Sequence, residues 1–324
     1  MTARRDSPRG RERPPLTGAA TASSFEVRPT HRAARRAAGG GTAGVGAPTL
    51  DDVTDDTDFR SLDGTRLSGT LTTSSAEPVG SAVLAHGSGV TREEGGFFAR
   101  LAEGLAAAGV TNLRFDLRAH GASAGRAADL TIAGVANDIR AASDHLRSST
   151  GQSGPVHVIA ASFSGGAAAL HAAHYPEGVG RLVLLNPRIN YKDMYVKERS
   201  GWSGDYLSAD RAAELDRTGA LPRVPFETGR ALLNEVFQLP APEALCARVL
   251  CPVLIVHGTK DTFVDVNLSR RYAPLFAAGA GAELLELDGA QHGFAVHDDP
   301  TYVDPQTRAW QEEVTGKVAQ FLAA

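Results

Sequence analysis

The chain has 324 residues, of which 42% are apolar, 33 are lysine or arginine and 37 are aspartate or glutamate. Its two cysteines are too few to cross-link a chain of this length, so a disulfide-rich secreted scaffold is excluded. No apolar run approaches the roughly 18 residues that span a bilayer, which also excludes an integral membrane protein.

The formal net charge of −4 is the sum of two unlike parts. Residues 1–50 hold nine arginines against three acidic residues, a charge of +6, and the rest holds 24 basic and 34 acidic residues, a charge of −10. The first part has one aromatic residue and cannot bury enough apolar surface to offset its ordering entropy. We therefore predict a disordered extension over 1–50, with no nucleic-acid partner, and one domain over 51–324.

Two further features of the first 50 residues argue against a special role for them. The segment 39–44 matches G-x-G-x-x-G, but no strand precedes it and no helix follows, so we assign no dinucleotide site and expect no cofactor. The segment also lacks the continuous apolar stretch of a secretory signal, and we expect a cytoplasmic location.

From about Asp51 onward, short strand-like runs alternate with alanine-rich helical stretches. An antiparallel hairpin is predicted over Arg60–Thr73, around the Asp63-Gly64 turn. The alternation after it predicts an α/β fold, a mostly parallel sheet with helices on both faces. The predicted strands are Ser81–Ala85, Thr111–Leu117, Val156–Ala160, Arg181–Leu185, Pro252–Val256 and Ala282–Leu287, and the predicted helices lie at about 96–108, 131–148, 164–175, 267–277 and 304–323.

One stretch, at about 189–245, breaks this alternation. It shows no clear strand, yet it contains six of the chain's 20 aromatic residues. An aromatic-rich insertion after a strand suits a lid over a pocket. We predict substrate contacts for Tyr191, Tyr195, Trp202 and Tyr206, with packing of these rings onto the sheet as the alternative.

The strand Val156–Ala160 leads into a tight turn and a helix start, and Ser162 lies on that turn. A nucleophile elbow needs small residues two positions to either side, because strand and helix approach closely around a strained residue. Ala160 and Ser164 meet this need, and the Phe163 N–H can donate to a developing oxyanion. Ser164 stays open as the alternative nucleophile, because small residues flank it in the same way.

A second serine matches the usual pattern literally but lacks its context. Gly121-Ala122-Ser123-Ala124-Gly125 reads G-x-S-x-G, yet no helix is predicted before about Thr131. Without the strand–turn–helix geometry, Ser123 has no reason to be activated, and we reject it as a nucleophile.

A serine hydroxyl is a weak nucleophile unless a base removes its proton and an acid orients that base. His292 follows the last predicted strand and Asp261 follows the one before it. We predict His292 as the base and Asp261 as the orienting acid. His297 and Asp265 are the alternatives.

At these residues the chain resembles the α/β-hydrolase superfamily, and within it the capped serine esterases of the cinnamoyl/feruloyl-esterase-like branch. The resemblance covers about residues 58–324, and the order Ser…Asp…His is the one this superfamily uses. The usual G-x-S-x-G is replaced at the elbow by Ala160-Ala161-Ser162-Phe163-Ser164. Besides the elbow, the resemblance rests on Ala85–Gly89, Leu113–Gly121, His257–Asp261 and Asp288–Phe294.

The resemblance also implies roles around the strand Ser81–Ala85. It assigns the second oxyanion donor to the backbone N–H of Ser88, and structural rather than chemical roles to His86 and Asp116. His171 and His174 are spaced like a metal pair, but no third ligand is visible and no metal is expected. Cys246 and Cys251 are expected to be unpaired core thiols.

Three functions are compatible with these residues. The first is hydrolysis of a carboxylic ester or thioester through an acyl-Ser162 intermediate. The second is acyl transfer or cyclisation from the same intermediate, and the third is a non-catalytic or pericyclase-like scaffold. The aromatic insertion favours a small-molecule substrate with an apolar acyl or aryl group, and the oligomeric state is left without a prediction.

Overall fold

Eight strands form one sheet in the computed structural model, which describes residues 53–222, 225–276 and 281–324. The extension predicted over 1–50 lies outside the described residues. The strand order across the sheet is β1-β2-β4-β3-β5-β6-β7-β8. The strands are β1 Val53–Arg60, β2 Arg66–Thr73, β3 Gly80–Ala85, β4 Val110–Phe115, β5 Val156–Ala161, β6 Val179–Leu185, β7 Val253–Gly258 and β8 Ala282–Leu287.

The sheet is antiparallel at one edge and parallel elsewhere. β1 and β2 form an antiparallel hairpin in which Phe59 pairs with Leu67, and β2 is antiparallel to β4. The remaining neighbours, from β4 through β3, β5, β6 and β7 to β8, are all parallel. The predicted hairpin and the mostly parallel sheet are therefore confirmed.

Eight α-helices are found among the described residues, and five of them were predicted. The helix predicted over 267–277 ends earlier, at Tyr272, and a 3₁₀ turn Ala273–Leu275 follows it. Pro274 explains this end, because proline has no N–H for the helical hydrogen bond. None of the described helices combines the length and the apolar character needed to cross a membrane. The helices are α1 Phe97–Ala107, α2 Ile132–Thr150, α3 Ser164–His174, α4 Ala209–Thr218, α5 Arg230–Glu235, α6 Pro242–Cys246, α7 Val266–Tyr272 and α8 Pro305–Ala323.

Alternating strand residues form two apolar cores, one on each face of the sheet. Val83 of β3 packs in the core that contains α2 and α3, whereas its neighbour Leu84 packs in the core that contains α1 and α8. Successive strand side chains point to opposite faces, so strands buried on both faces are continuously apolar. This is the reason why the parallel strands could be recognised as short apolar runs.

The segment between β6 and β7 contains the aromatic-rich stretch predicted over 189–245. It consists of α4, α5, α6, a π-helical turn Asp193–Lys197 and two ribbons of two-residue strands. One ribbon pairs Trp202–Ser203 with Tyr206–Leu207, and the other pairs Ala220–Leu221 with Thr228–Gly229. These strands are too short to show an alternating pattern in the sequence.

Candidate active site

The predicted site residues follow four strands whose carboxyl ends lie along the same edge of the sheet. Ser88 follows β3, Ser162 follows β5, Asp261 follows β7 and His292 follows β8. These strands belong to the parallel part of the sheet, so their following loops lie on the same side. In open α/β sheets, ligands bind outside these carboxyl ends.

Ser162 lies between β5 and α3 in a backbone conformation that few non-glycine residues adopt. Its φ is +49°, in the left-handed region. Its N–H donates to Leu185 O at 2.8 Å, and its carbonyl oxygen accepts the N–H groups of Gly165 and Arg188 at 3.0 and 2.8 Å. Three backbone hydrogen bonds therefore hold the strained turn, which has the strand–turn–helix geometry expected of a nucleophile elbow.

The two candidate serines of the turn have different surroundings. The Ser164 hydroxyl is fully buried and contacts the carbonyl oxygens of Ala85 and Ala161 at 2.7 and 3.0 Å. Among the described residues the Ser162 hydroxyl has no hydrogen-bond partner, and Ser162 is partly exposed. The environment of Ser164 thus leaves its hydroxyl neither accessible nor free, and the geometry favours Ser162 of the two.

Asp261 and His292 are joined directly. His292 Nδ1 lies 2.6 Å from Asp261 Oδ2, and the Asp261 side chain is completely buried whereas that of His292 is 22% exposed. The other carboxylate oxygen, Oδ1, accepts the N–H groups of Phe263 and Val264 at 2.8 and 2.9 Å. These bonds orient the carboxylate toward His292, so that the imidazole proton lies on Nδ1 and Nε2 is left without it.

Opposing effects act on the pKa of Asp261. Burial alone would raise it, but hydrogen bonds from His257 and His292 and from the Val264 N–H outweigh burial and hold the pKa below its usual range. His257 Nε2 lies 3.3 Å from Asp261 Oδ2 and is also 2.9 Å from Val264 O. The carboxylate is therefore ionised at neutral pH and can stabilise a protonated His292.

The alternative acid and base lie elsewhere. Asp265 begins α7 as its N-cap, and its side chain accepts the Asn267 N–H at 2.9 Å. His297 is 72% exposed and its ring lies 3.9 Å from Asp298. The structure brings together Asp261 and His292, and it gives the alternative pair other partners.

The loop His86–Gly89 carries the predicted donor Ser88. Two histidines have structural contacts here. Leu117 N–H donates to His86 Nε2 at 3.0 Å and His86 Nδ1 donates to Gly87 O at 2.6 Å, while His120 Nε2 accepts the Gly89 N–H at 3.1 Å. Burial and the nearby His120 lower the pKa of His86 to about 3, so it stays neutral. Within the described parts of the chain, neither the Ser88 nor the Phe163 N–H is paired with an acceptor. Both donors are thus available.

Comparison with known proteins agrees with this geometry. Residues 82–304, well over half of the chain, match the model of the alpha/beta hydrolase family. The chain belongs to the alpha/beta hydrolase family. The resemblance to the α/β-hydrolase superfamily is confirmed, and so is the fold class.

The chain is similar in sequence to a lipase and similar in fold to solved esterase structures. It is 28% identical over 290 residues to a monoacylglycerol lipase of Mycolicibacterium smegmatis, covering 82% of this chain and 96% of the lipase. The ferulic acid complex of Est1E from Butyrivibrio proteoclasticus is similar in fold, with a TM-score of 0.65, 21% identity and coverage of 82% and 97% of the two chains. An esterase of Pyrococcus furiosus has a TM-score of 0.58, 20% identity and coverage of 84% and 92%.

The four aromatic residues predicted to contact substrate have unlike positions in this hydrolase. Tyr191 is buried below the elbow, where its hydroxyl donates to Phe163 O and accepts the Ala167 N–H at 3.0 Å. Tyr195 is buried and lines, with the partly buried Trp202, a cavity of about 320 Å³ in the insertion. Tyr206 is 82% exposed. Their predicted contacts with substrate stay predictions, and the position of Tyr191 favours support of the elbow.

The insertion contacts both the turn that carries Ser162 and the His86–Gly89 loop. The ring of Phe226 lies 5.5 Å from that of Phe163 and 5.8 Å from that of His120. Pro225 packs so closely on Gly89 that a side chain at Gly89 would clash with it. The insertion therefore contacts the residue after Ser162 and the His86–Gly89 loop.

Three residues near the site carried no signal that sequence reasoning could use. Arg188 is buried, and its Nη2 donates to the carbonyl of Phe263 at 3.1 Å, which supports the loop that holds Asp261. The Phe263 ring is 73% exposed and lies 5.3 Å from the His292 ring. Glu94 accepts the Gly87 N–H at 2.8 Å. None of the three could be identified from the sequence, because each contact joins segments that are separate in the chain.

The other candidate sites have structural explanations or stay unassigned. The Ser123 hydroxyl donates to Asp116 O at 2.6 Å and accepts the Ser68 N–H at 3.0 Å, which ties down a loop. Cys246 and Cys251 are buried and unpaired, and burial raises the pKa of their thiols to about 12 and about 11. In the described ranges no group of three or more His, Cys, Asp or Glu is arranged to hold a metal ion.

Proposed function

We propose that this alpha/beta hydrolase is a serine esterase or thioesterase that works through an acyl-Ser162 intermediate. One observation carries the proposal: a buried, ionised Asp261 is hydrogen-bonded to His292 at the sheet edge where Ser162 lies on a strained turn with an unpaired hydroxyl. A serine hydroxyl is activated when a base oriented by a carboxylate removes its proton, and the shared sheet edge supports this role for His292 toward Ser162.

In the proposed reaction each of these residues has a defined role. Ser162 Oγ attacks the carbonyl carbon while His292 Nε2 takes its proton, and the N–H groups of Ser88 and Phe163 donate to the oxyanion. The intermediate collapses as His292 returns the proton to the leaving alcohol or thiol, which departs. Water then attacks the acyl-Ser162 ester with His292 again as the base, and the acid product leaves Ser162 free. Asp261 keeps His292 in the required tautomer and stabilises its charged form throughout.

We further propose that residues 51–324 are the catalytic domain and that the insertion at about 189–245 is a lid. The contacts of Phe226 with Phe163 and of Pro225 with Gly89 support this, because they place insertion residues against the elbow. Contacts of Tyr195 and Trp202 with an apolar acyl or aryl group remain part of the proposal, although the cavity that these rings line also contains Arg199 and Arg211. The relatives suggest a substrate panel that contains monoacylglycerols and feruloyl esters besides simple p-nitrophenyl esters and a matched thioester.

The test combines burst kinetics with active-site labelling. The wild-type chain should release a burst of p-nitrophenol from p-nitrophenyl butyrate, and a fluorophosphonate should label Ser162. Ser162→Ala should abolish both and lower kcat by at least about 10⁴-fold. Ser164→Ala, the matched control on the same turn, should keep the burst and the label.

Other outcomes separate the remaining functions. Turnover that persists in Ser162→Ala would contradict the proposed nucleophile, and a label on Ser164 would move the assignment to that residue. A burst whose acyl group ends on an added alcohol rather than on water identifies an acyltransferase. Substrate rearrangement without any burst identifies a scaffold of the pericyclase kind.

A further inference from the structure

A carboxyl group that the proposed mechanism does not use lies beside the His86–Gly89 loop. Glu94 Oε2 accepts the Gly87 N–H at 2.8 Å. A methyl group placed on Gly87 would lie 3.3 Å from Ser162 Cβ and 3.5 Å from Glu94 Oε1. Gly87 thus lies between Ser162 and Glu94, and a side chain at this position would press on the Ser162 side chain.

The backbone at Glu94 is strained in a way that a glycine would avoid. Its φ is +44°, and Gly95 and Gly96 follow with φ of +64° and +90°. The left-handed conformation is unfavourable for a residue with a side chain, because Cβ comes too close to the following carbonyl oxygen. The turn is closed by hydrogen bonds from Glu94 N to Thr91 O and from Gly96 N to Glu93 O, at 2.9 and 2.7 Å. Such strain persists where the side chain does something glycine cannot.

Tyr302 connects this turn to the one that carries His292. A methyl group on Gly95 would lie 2.8 Å from the Tyr302 ring, and one on Gly293 would overlap the Tyr302 hydroxyl. The same ring therefore packs against the residue after Glu94 and the residue after His292. Burial and the nearby Glu94 raise the pKa of Tyr302 to about 12, so that it is neutral wherever the enzyme is assayed.

The carboxyl of Glu94 is directed at one backbone donor. Among the described residues it forms no ion pair with a lysine or arginine. Burial raises its pKa, while the Gly87 N–H and the charge of His292 act in the opposite direction. Its neighbour Glu93 instead faces Arg114 and Arg92, at 3.5 and 3.9 Å.

The two peptide groups of Gly87 are held from opposite sides. His86 Nδ1 donates to Gly87 O, and the Ser88 N–H belongs to the same planar peptide, so it points the other way. Glu94 fixes the other peptide group, between His86 and Gly87, by accepting the Gly87 N–H. We propose that Glu94 is a positioning residue of the proposed esterase, which fixes Gly87 so that the Ser88 N–H is aimed at the oxyanion formed at Ser162.

The inference rests on the proposed acyl-Ser162 function and makes its own kinetic prediction. An oxyanion donor acts mainly in the transition state, so its misplacement lowers kcat with little change in KM. We expect Glu94→Ala to lower kcat about 10- to 100-fold, less than the full loss of an oxyanion donor, with KM unchanged within about twofold. Glu94→Gln retains an acceptor for the Gly87 N–H and should recover kcat to within about fivefold of wild type, because a neutral acceptor makes a weaker bond than a carboxylate.

The experiment measures kcat, KM and the inhibition constant of an alkyl trifluoromethyl ketone, whose adduct carries an oxyanion, in Glu94→Ala, Glu94→Gln and Glu93→Ala. Inhibitor affinity should fall in parallel with kcat in Glu94→Ala, recover in Glu94→Gln and stay unchanged in the matched control Glu93→Ala. A wild-type kcat and affinity in Glu94→Ala overturns the inference. Equal loss in Glu94→Ala and Glu94→Gln overturns it too, because charge rather than the hydrogen bond would then matter.

Two further readouts keep the inference separate from folding and from the proposed chemistry. If Glu94→Ala does not fold, Glu94→Asp withdraws the acceptor while keeping the charge, and should show the same loss of kcat; its full activity would count against the inference. Amide hydrogen exchange at Gly87 should quicken in Glu94→Ala and not in Glu93→Ala, whether or not the chain turns over. If the wild-type chain forms no acyl-Ser162, the proposed function is overturned, but faster exchange at Gly87 in Glu94→Ala would still show that Glu94 fixes Gly87. Unchanged exchange at Gly87 would overturn that contact.

Discussion

The acid–base side and the nucleophile side of the candidate site are held by different interactions. Asp261 and His292 meet through a 2.6 Å hydrogen bond between ionisable side chains, in a buried setting that strengthens it. The Ser162 turn and the His86–Gly89 loop are held by backbone hydrogen bonds, close glycine contacts and the Ser164 hydroxyl. Catalysis should therefore be lost on the acid–base side when a charge is removed, and on the nucleophile side when backbone N–H groups are misplaced.

Next to the loss expected for Ser162→Ala, a large effect is expected when the charge on the acid–base side is removed. In Asp261→Asn the amide oxygen can keep the Phe263 and Val264 N–H groups, which directs the NH₂ group at His292 Nδ1. The imidazole would then hold its proton on Nε2, the wrong nitrogen for a base. We expect kcat for a p-nitrophenyl ester to fall about 10³- to 10⁴-fold without loss of the fold.

The control for this variant is Asp265→Asn, which changes the alternative acid at the N-cap of α7. It should keep kcat and lose a little stability, since asparagine also caps helices. The comparison of the two sides would have to be abandoned if Asp265→Asn lost activity while Asp261→Asn kept it.

A smaller effect is expected on the nucleophile side from Ser164→Ala. This change removes the hydroxyl contact with Ala85 O, which joins the start of α3 to the end of β3 next to His86. The elbow and the His86–Gly89 loop would shift relative to each other without any loss of charge. We expect kcat/KM to fall about tenfold, equivalent to about 1.4 kcal/mol of transition-state stabilisation.

Ser123→Ala is the matched control, because the Ser123 hydroxyl also donates to a backbone carbonyl, that of Asp116, but away from the elbow. Both variants should lower the free energy of unfolding by about 1 kcal/mol, measured by urea denaturation. Only Ser164→Ala should lower kcat/KM. Equal kinetics in the two variants would mean that Ser164 contributes stability alone.

A separate effect concerns the pH dependence of stability and not the rate of the reaction. The pKa of His86 is lowered to about 3 by burial and by His120, whereas an unfolded histidine titrates near 6.5. Between pH 6.5 and 3, His86 is protonated in the unfolded chain and neutral in the folded chain. The unfolded state therefore binds one more proton, and the free energy of unfolding decreases as the pH falls. His86→Gln removes up to about 1.4 kcal/mol of this decrease per pH unit and should flatten the curve. The exposed His297→Gln should leave the slope unchanged, and an equally steep curve in His86→Gln would disprove the buried neutral state.

The elements of the sheet could be predicted because their signals are local. Strands buried on both faces are short apolar runs, and the helices between them have their own periodicity. The aromatic insertion could be recognised only as a break in this pattern, since ribbons as short as Trp202–Ser203 and Tyr206–Leu207 contain no period. The sequence also grouped Tyr191 with the substrate-facing rings, although it lies below the elbow.

The sequence by itself determined the hydrolase fold and the order of the candidate residues Ser162, Asp261 and His292, because strand ends and motif spacing are written along the chain. Only the tertiary structure shows that the Ser164 hydroxyl is buried against Ala85 O and that Glu94, not Glu93, contacts Gly87. Each depends on contact between segments that are separate in sequence: the end of β3 with the start of α3, and the turn at Glu94 with Gly87. Neighbouring residues of one type look alike in a sequence, and their roles diverge only when the fold turns one toward a partner and the other away.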